Sequence, residues 1–152
     1  PISFADYDMG RDGYAYYDIV SGDYHLDDGS DWIDWNSGNY YRNDGVDIGR
    51  DKDSPYVGWT EAGEWIQYTL DIPKAGNYKM TINSAAKDAG GILNIEVNGN
   101  IVKENVQLPS TQAADSWETI TIEGIPLAQG ETVIRFHIVK GGSNLLDWSI
   151  NE

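Results

Sequence analysis

The sequence predicts an all-β fold, a β-sandwich of two antiparallel sheets. Two positive observations carry that expectation. Apolar and polar residues alternate over short runs, the period of a strand with one face on a core. About ten such runs recur at roughly 8 to 12 residue spacing, separated by Gly, Pro, Asn and Asp. A third observation is negative: no stretch carries a convincing helical period.

The clearest run follows Gly58-Trp59-Thr60-Glu61-Ala62-Gly63-Glu64-Trp65, where Ile66, Tyr68, Leu70 and Ile72 alternate with Gln67, Thr69 and Asp71. Pro73 cannot donate to a ladder and Lys74-Ala75-Gly76-Asn77 supplies turn residues. Tyr78 to Asn83 then resumes the same period, so the two runs read as an antiparallel hairpin. Upstream, Ile2 to Asp6 is a short first strand, Asp8 to Gly13 a turn cluster and Tyr14 to Ile19 a second strand. Residues 21–39 hold no period and are rich in Asp, Gly, Ser and Asn, yet they carry Tyr24, His25, Trp32, Ile33 and Trp35. A loop this long and aromatic points to a functional segment.

Tyr40 to Ile48 leads into a strand, and Arg50 to Ser54 is a polar turn before Tyr56-Val57-Gly58-Trp59. Downstream, Asp88-Ala89-Gly90-Gly91 turns into Ile92–Val97, and Asn98-Gly99 is a strong hairpin signal toward Ile101–Val106. A polar loop, Leu108 to Ser116, precedes Trp117–Ile122; Gly124, Pro126 and Gly130 separate this from Thr132–Val139. The last strand is Leu145–Ile150.

At 152 residues the chain reads as a single domain, 1–152, large enough to bury a core without covalent staples. It has no cysteine, so disulfides and thiolate metal sites are excluded. A formal net charge of −15 argues against nucleic acid, anionic membrane surfaces and sulfated glycans. No run approaches the length of a membrane span. Residues 1–53 hold 13 Asp and no Glu against 4 Lys or Arg, a composition of turns and loops. Beginning at Pro1 in mid-pattern, the chain is expected to be a module of a longer protein.

Several pieces in order carry a resemblance: Asp6-Tyr7-Asp8, Ala15-Tyr16-Tyr17-Asp18, Tyr41-Arg42-Asn43-Asp44-Gly45-Val46-Asp47-Ile48, the Gly58 to Trp65 stretch, the Gly130 turn and Asn144-Leu145-Leu146-Asp147-Trp148. Together they resemble carbohydrate-binding module family 6 over nearly the whole chain. The resemblance implies a jelly-roll type of sandwich and a non-catalytic module attached to a secreted glycoside hydrolase. A Tyr and a Trp would sandwich one sugar in a cleft among loops at one end, with an Asn bonding its hydroxyls. Flat C–H faces of sugars suit aromatic rings, and their hydroxyls need fixed donors and acceptors. By resemblance the Tyr is Tyr41 and the Asn is Asn144. Trp117 stands alone where the family often has two tryptophans, an outer one on the sugar and an inner one on the core; it is assigned to the sugar. Trp32 and Trp35 are the alternative rings. Trp59, Trp65 and Trp148 are expected in the core or on the concave sheet face, where some members carry a second cleft.

The resemblance also implies a structural calcium, held through a Glu-x-Glu in the first strand and an acid near the last. Ser3 and Ala5 replace the two Glu, and Asp147 remains the metal candidate, while Asp27, Asp28, Asp31 and Asp34 could build a separate site.

A catalytic alternative would use Glu61 and Glu64 as a glycosidase pair. They stand in the strand-entry turn that is part of the resemblance, and His25 and His137 sit in no nucleophile or metal motif. The expectation is therefore a monomeric, extracellular binder of a neutral polysaccharide. A β-glucan of the laminarin type ranks first, agarose or xylan next, and a lectin-like adhesion module remains an alternative on the same fold.

Overall fold

The computed structural model describes residues 1–10, 13–18, 46 and 48–152. Among them are eleven strands and one short 3-10 turn. In chain order they are β1 (Ile2–Ser3), the turn Phe4–Asp6, β2 (Tyr16–Tyr17), β3 (Ile48–Asp51), β4 (Ser54–Val57) and β5 (Trp65–Ile72). There follow β6 (Gly76–Ala85), β7 (Ile92–Val97), β8 (Asn100–Gln107), β9 (Glu118–Leu127), β10 (Gly130–Lys140) and β11 (Asn144–Asn151). One sheet runs β3-β4-β11-β6-β9 with β1 also on β11; the other runs β2-β5-β10-β7-β8. All pairings are antiparallel. The two-sheet β-sandwich expected from alternation is the observed fold.

Alternation decides which side chains are buried. Ile66, Tyr68 and Ile72 of β5 face Met80, Ile82 and Tyr78 of β6 across one core, with Ile134, Phe136 and Ile138 of β10 beside them. At its centre Phe4, Tyr68, Phe136 and Trp148 meet edge-to-face, with centroids 5.0 Å apart for Phe4–Phe136 and 5.1 Å for both Tyr68–Trp148 and Phe136–Trp148. Such pairs add about 0.5–1.5 kcal/mol each beyond their area. The Tyr68 hydroxyl donates to the Phe4 carbonyl at 2.6 Å, tying the 3-10 turn between the sheets.

Three local expectations change. Of the first strand expected over Ile2 to Asp6 only Ile2–Ser3 is extended, and Phe4–Asp6 forms the 3-10 turn. β5 and β6 do not form a hairpin: β5 pairs with β10 and β2, whereas β6 pairs with β11 and β9. The Pro73–Ala75 link instead carries the chain from one sheet to the other. Both strands bury one face, and alternation is blind to whether two buried faces are neighbours in a ladder or opposed across a core. Likewise β9 continues through Gly124 and Pro126, because a register shift between Tyr78 and Met80 of β6 accommodates the irregularity. The Asn98-Gly99 hairpin is as expected: both residues have positive φ, 48° and 87°, the left-handed pair of a two-residue turn.

Candidate functional site

The strand ends and connections around β4, β9 and β11 gather the candidates that are described. Val57 faces the core, so its neighbour Tyr56 faces outward, opposite Gly49 in the β3–β4 ladder. A Cβ on Gly49 would lie 2.4 Å from the Tyr56 ring, so the ring rests on bare backbone. Trp117, at the end of the 108–117 loop, packs on Tyr56 with centroids 5.5 Å apart and planes at 59°. Its indole N–H donates to Asp51 Oδ2 at 2.7 Å. The indole is thus held by a ring contact and a charge-assisted hydrogen bond, and it stays half-buried.

Asn144 opens β11. Its Nδ2 donates to the Ala114 carbonyl at 2.9 Å, which ties the 108–117 loop to the strand end. Its Oδ1 and Tyr56 Cε2 lie 3.0 and 3.1 Å from where a Cβ on Gly58 would be, so both crowd the ground over that glycine. Tyr56 thus packs on Trp117 and shares the ground over Gly58 with Asn144. Burial pushes the Tyr56 phenol pKa up, and the carboxylates of Asp51 and Asp115 push it the same way. The phenol stays a neutral donor and acceptor through the physiological range.

Of the residues expected from sequence, Trp117 and Asn144 come together here. Tyr41, Trp32 and Trp35 lie outside the described residues. Trp148 is wholly buried in the core, as expected, and Trp65 lies half-buried on the outer face of the five-stranded sheet. Trp59 differs. It is 39% exposed, has φ +50°, and lines a recess beside Asn144. Sequence reasoning also missed Tyr56 and Asp51. The signal for Tyr56 was available: it alternates with core Val57 and stands opposite a glycine.

A second polar surface covers the outer face of the five-stranded sheet. The Arg135 guanidinium lies 3.9 Å from the Trp65 ring centroid, its Nε donates to Gln67 Oε1 at 2.8 Å, and it stands 3.8 Å from Glu96. His137 lies 3.2 Å from the same Glu96. Arg135 therefore occupies a face of Trp65 that a sugar ring would use.

Ser3 pairs with Asp147 in the β1–β11 ladder. The Ser3 hydroxyl accepts the Ala5 N–H at 3.2 Å, and Ala5 is fully buried. Asp6 lines the same shallow recess as Asp147. No group of three or more His, Cys, Asp or Glu among the described residues could hold a metal ion. Around Asp147 the side chains do not fit the calcium set implied by resemblance; Asp27, Asp28, Asp31 and Asp34 lie outside the described residues. Glu61 and Glu64 are engaged in their turn, with Glu64 Oε2 accepting the Glu61 N–H at 2.8 Å.

A family model described as carbohydrate binding module (family 6) matches residues 33–152. The chain belongs to carbohydrate-binding module family 6. As a member it is a non-catalytic carbohydrate-binding module. The module is 24% identical over 106 residues to β-agarase AgaA of Microbulbifer thermotolerans, which covers 69% of the module and 24% of the agarase. It thus spans about a quarter of that relative's length. Its fold is similar to the C-terminal family 6 module of LamC, a marine laminarinase of Zobellia galactanivorans. The TM-score is 0.65 with 22% identity, over 70% of this chain and 88% of that one. It is also similar to module CBM6cm-2 of Cellvibrio mixtus lichenase 5A, solved with cellotriose. Here the TM-score is 0.60 with 26% identity, over 70% and 85% of the two chains.

Proposed function

We propose that this module binds a neutral β-glucan, β-1,3-linked laminarin first, in the cleft formed by Trp117, Tyr56 and Asn144, and holds an attached glycoside hydrolase against it. The observation that carries the reading is the fixed, half-buried indole of Trp117: Asp51 and Tyr56 set its orientation, so stacking a sugar costs little ordering. Asn144 stands next to Tyr56 with amide oxygen and nitrogen for sugar hydroxyls. By the family pattern Tyr41 would be the other ring of the sugar sandwich, with Trp32 and Trp35 as the alternatives to Trp117. The net charge of −15 favours a ligand without sulfate or carboxylate. Binding is placed here rather than on the five-stranded sheet because Arg135 covers Trp65. An agarose-type galactan is the second reading, favoured by the match to a β-agarase.

The attachment is supported by the agarase match, which occupies a minor part of an enzyme. The module is placed outside the cell, where polysaccharide is met, and is taken to act as a monomer. A structural calcium at Asp147 is not part of the proposal: Ser3 and Ala5 offer no carboxylate, and the described side chains around Asp147 do not supply the six to eight oxygens the ion prefers.

Affinity electrophoresis in gels containing laminarin, barley β-glucan, xylan, agarose or a sulfated galactan tests the reading. Retardation by laminarin, lost in Trp117→Ala and in Tyr41→Ala with the fold intact, is expected. Retardation by agarose alone moves the assignment to the second reading. Unchanged affinity in both variants removes this cleft from the argument.

A further inference from the structure

Trp59 is a large aromatic residue at φ +50°, a conformation that costs a non-glycine residue energy and persists only where the surroundings impose it. The residue is 39% exposed. It lines, with Lys87, Gly142, Ser143 and Asn144, a recess of about 240 Å³. That is smaller than the several hundred Å³ of a drug-sized site, and suits a single sugar ring better than an oligosaccharide.

The walls of the recess are fixed by hydrogen bonds. Thr60 Oγ1 donates to the Ser143 carbonyl at 3.1 Å, and Ser143 Oγ accepts the Gly91 N–H at 2.8 Å. Ala86 and Thr111 bond reciprocally, Ala86 N–H to Thr111 Oγ1 at 3.0 Å and Thr111 N–H to the Ala86 carbonyl at 2.9 Å. At Gly141 a Cβ would lie 1.9 Å from the Thr60 carbonyl oxygen, so the 141–143 segment is seated directly on the segment that follows Trp59. A rigid recess with an aromatic wall loses little entropy on binding.

Asn144 belongs to both places. Its Oδ1 lies beside Tyr56 over Gly58, and its side chain also lines the Trp59 recess. We infer that the recess is a second sugar subsite, in which Trp59 stacks on the ring next to the one held at Trp117 while Lys87 donates to its hydroxyls. The inference rests on the strand-end cleft being the binding site. It makes the module a reader of glycan length: a neutral chain passes over Asn144 with one ring on each side.

The test is calorimetry with laminari-, cello- and agaro-oligosaccharides of two, three and four residues, using the wild type, Trp59→Gly and Trp59→Asn. Gly and Asn tolerate positive φ, so both variants are expected to keep or raise Tm, which thermal melting checks. The wild type should gain affinity with ligand length. Both variants should lose about ten-fold on the longer ligands, the worth of one aromatic stacking contact, and keep the affinity for the shortest. Equal loss at every length, or wild-type length dependence in both variants, overturns the subsite. If the wild type binds no oligosaccharide of any series, the cleft reading itself falls and the subsite with it.

Discussion

The indole N–H of Trp117 and the carboxylate of Asp51 lie 2.7 Å apart across 66 residues of sequence. A ring near a cleft is thereby anchored by its polar edge to β3, leaving its π-face for contacts. Asp51→Ala is expected to free the indole and weaken glycan binding several-fold by restoring the ordering cost, about 0.5–1.5 kcal/mol for a rotamer-rich side chain. Trp117→Ala should cost more than ten-fold. Titration by intrinsic fluorescence with the retarding glycan distinguishes them, and an Asp51→Ala variant that binds like the wild type would show that the anchor is irrelevant to stacking.

Gly49 is the floor of the same site. A methyl group there would meet the Tyr56 ring at 2.4 Å, too close for any rotamer adjustment by the glycine's own strand. Gly49→Ala is expected to push Tyr56 outward into Trp117, destabilise by about 1–3 kcal/mol as overpacking does, and reduce binding. Urea unfolding gives the first quantity and calorimetry the second. Normal stability with normal binding would mean the Tyr56 ring is not seated on β3.

How far the sequence reveals this architecture depends on which physical signal is local. Burial is local: Ile66, Tyr68, Met80, Ile82 and Phe136 all fall on the core side that their period assigns. Hairpin pairing is legible only where the turn itself dictates it, as at Asn98-Gly99. Between Ile72 and Gly76 nothing dictates it, and the chain changes sheets. At the candidate site, Trp117 and Asn144 are legible as candidates because a family pattern marks them. Tyr56 and Asp51 were missed because their role arises from a ladder opposite a glycine and from a hydrogen bond to a residue in another sheet region. Trp59 was misplaced because a run of apolar residues, Tyr56 to Trp59, reads as strand, whereas the chain turns at Gly58 and φ becomes positive at Trp59.

The Tyr56 phenol predicts an alkaline dependence. Its folded pKa is raised above the unfolded value near 10, so between the two the native state binds more protons than the unfolded state. Stability from this group is complete below about pH 10 and is lost as pH rises through the folded pKa. Tyr56→Phe, which cannot ionise, should melt with a shallower decline over that alkaline window. Identical slopes for both proteins would show that the phenol ionises as freely in the fold as outside it.

Ser84 is fully buried in β6, and its Oγ has no hydrogen-bond partner among the described residues; Trp148 Nε1 is in the same condition. A buried hydroxyl without a partner costs about 1–3 kcal/mol of desolvation, while the methyl of alanine would occupy the same space without that cost. Ser84→Ala is therefore expected to stabilise the module by about 1 kcal/mol, a rise of roughly 2–4 °C in Tm for a domain of this size. Glycan affinity should not change, since Leu145 opposite Ser84 in the ladder also faces the core while the cleft lies at the strand ends. Differential scanning calorimetry settles it: a lower Tm in Ser84→Ala would mean that the hydroxyl is satisfied by a buried water, which the alanine would leave stranded.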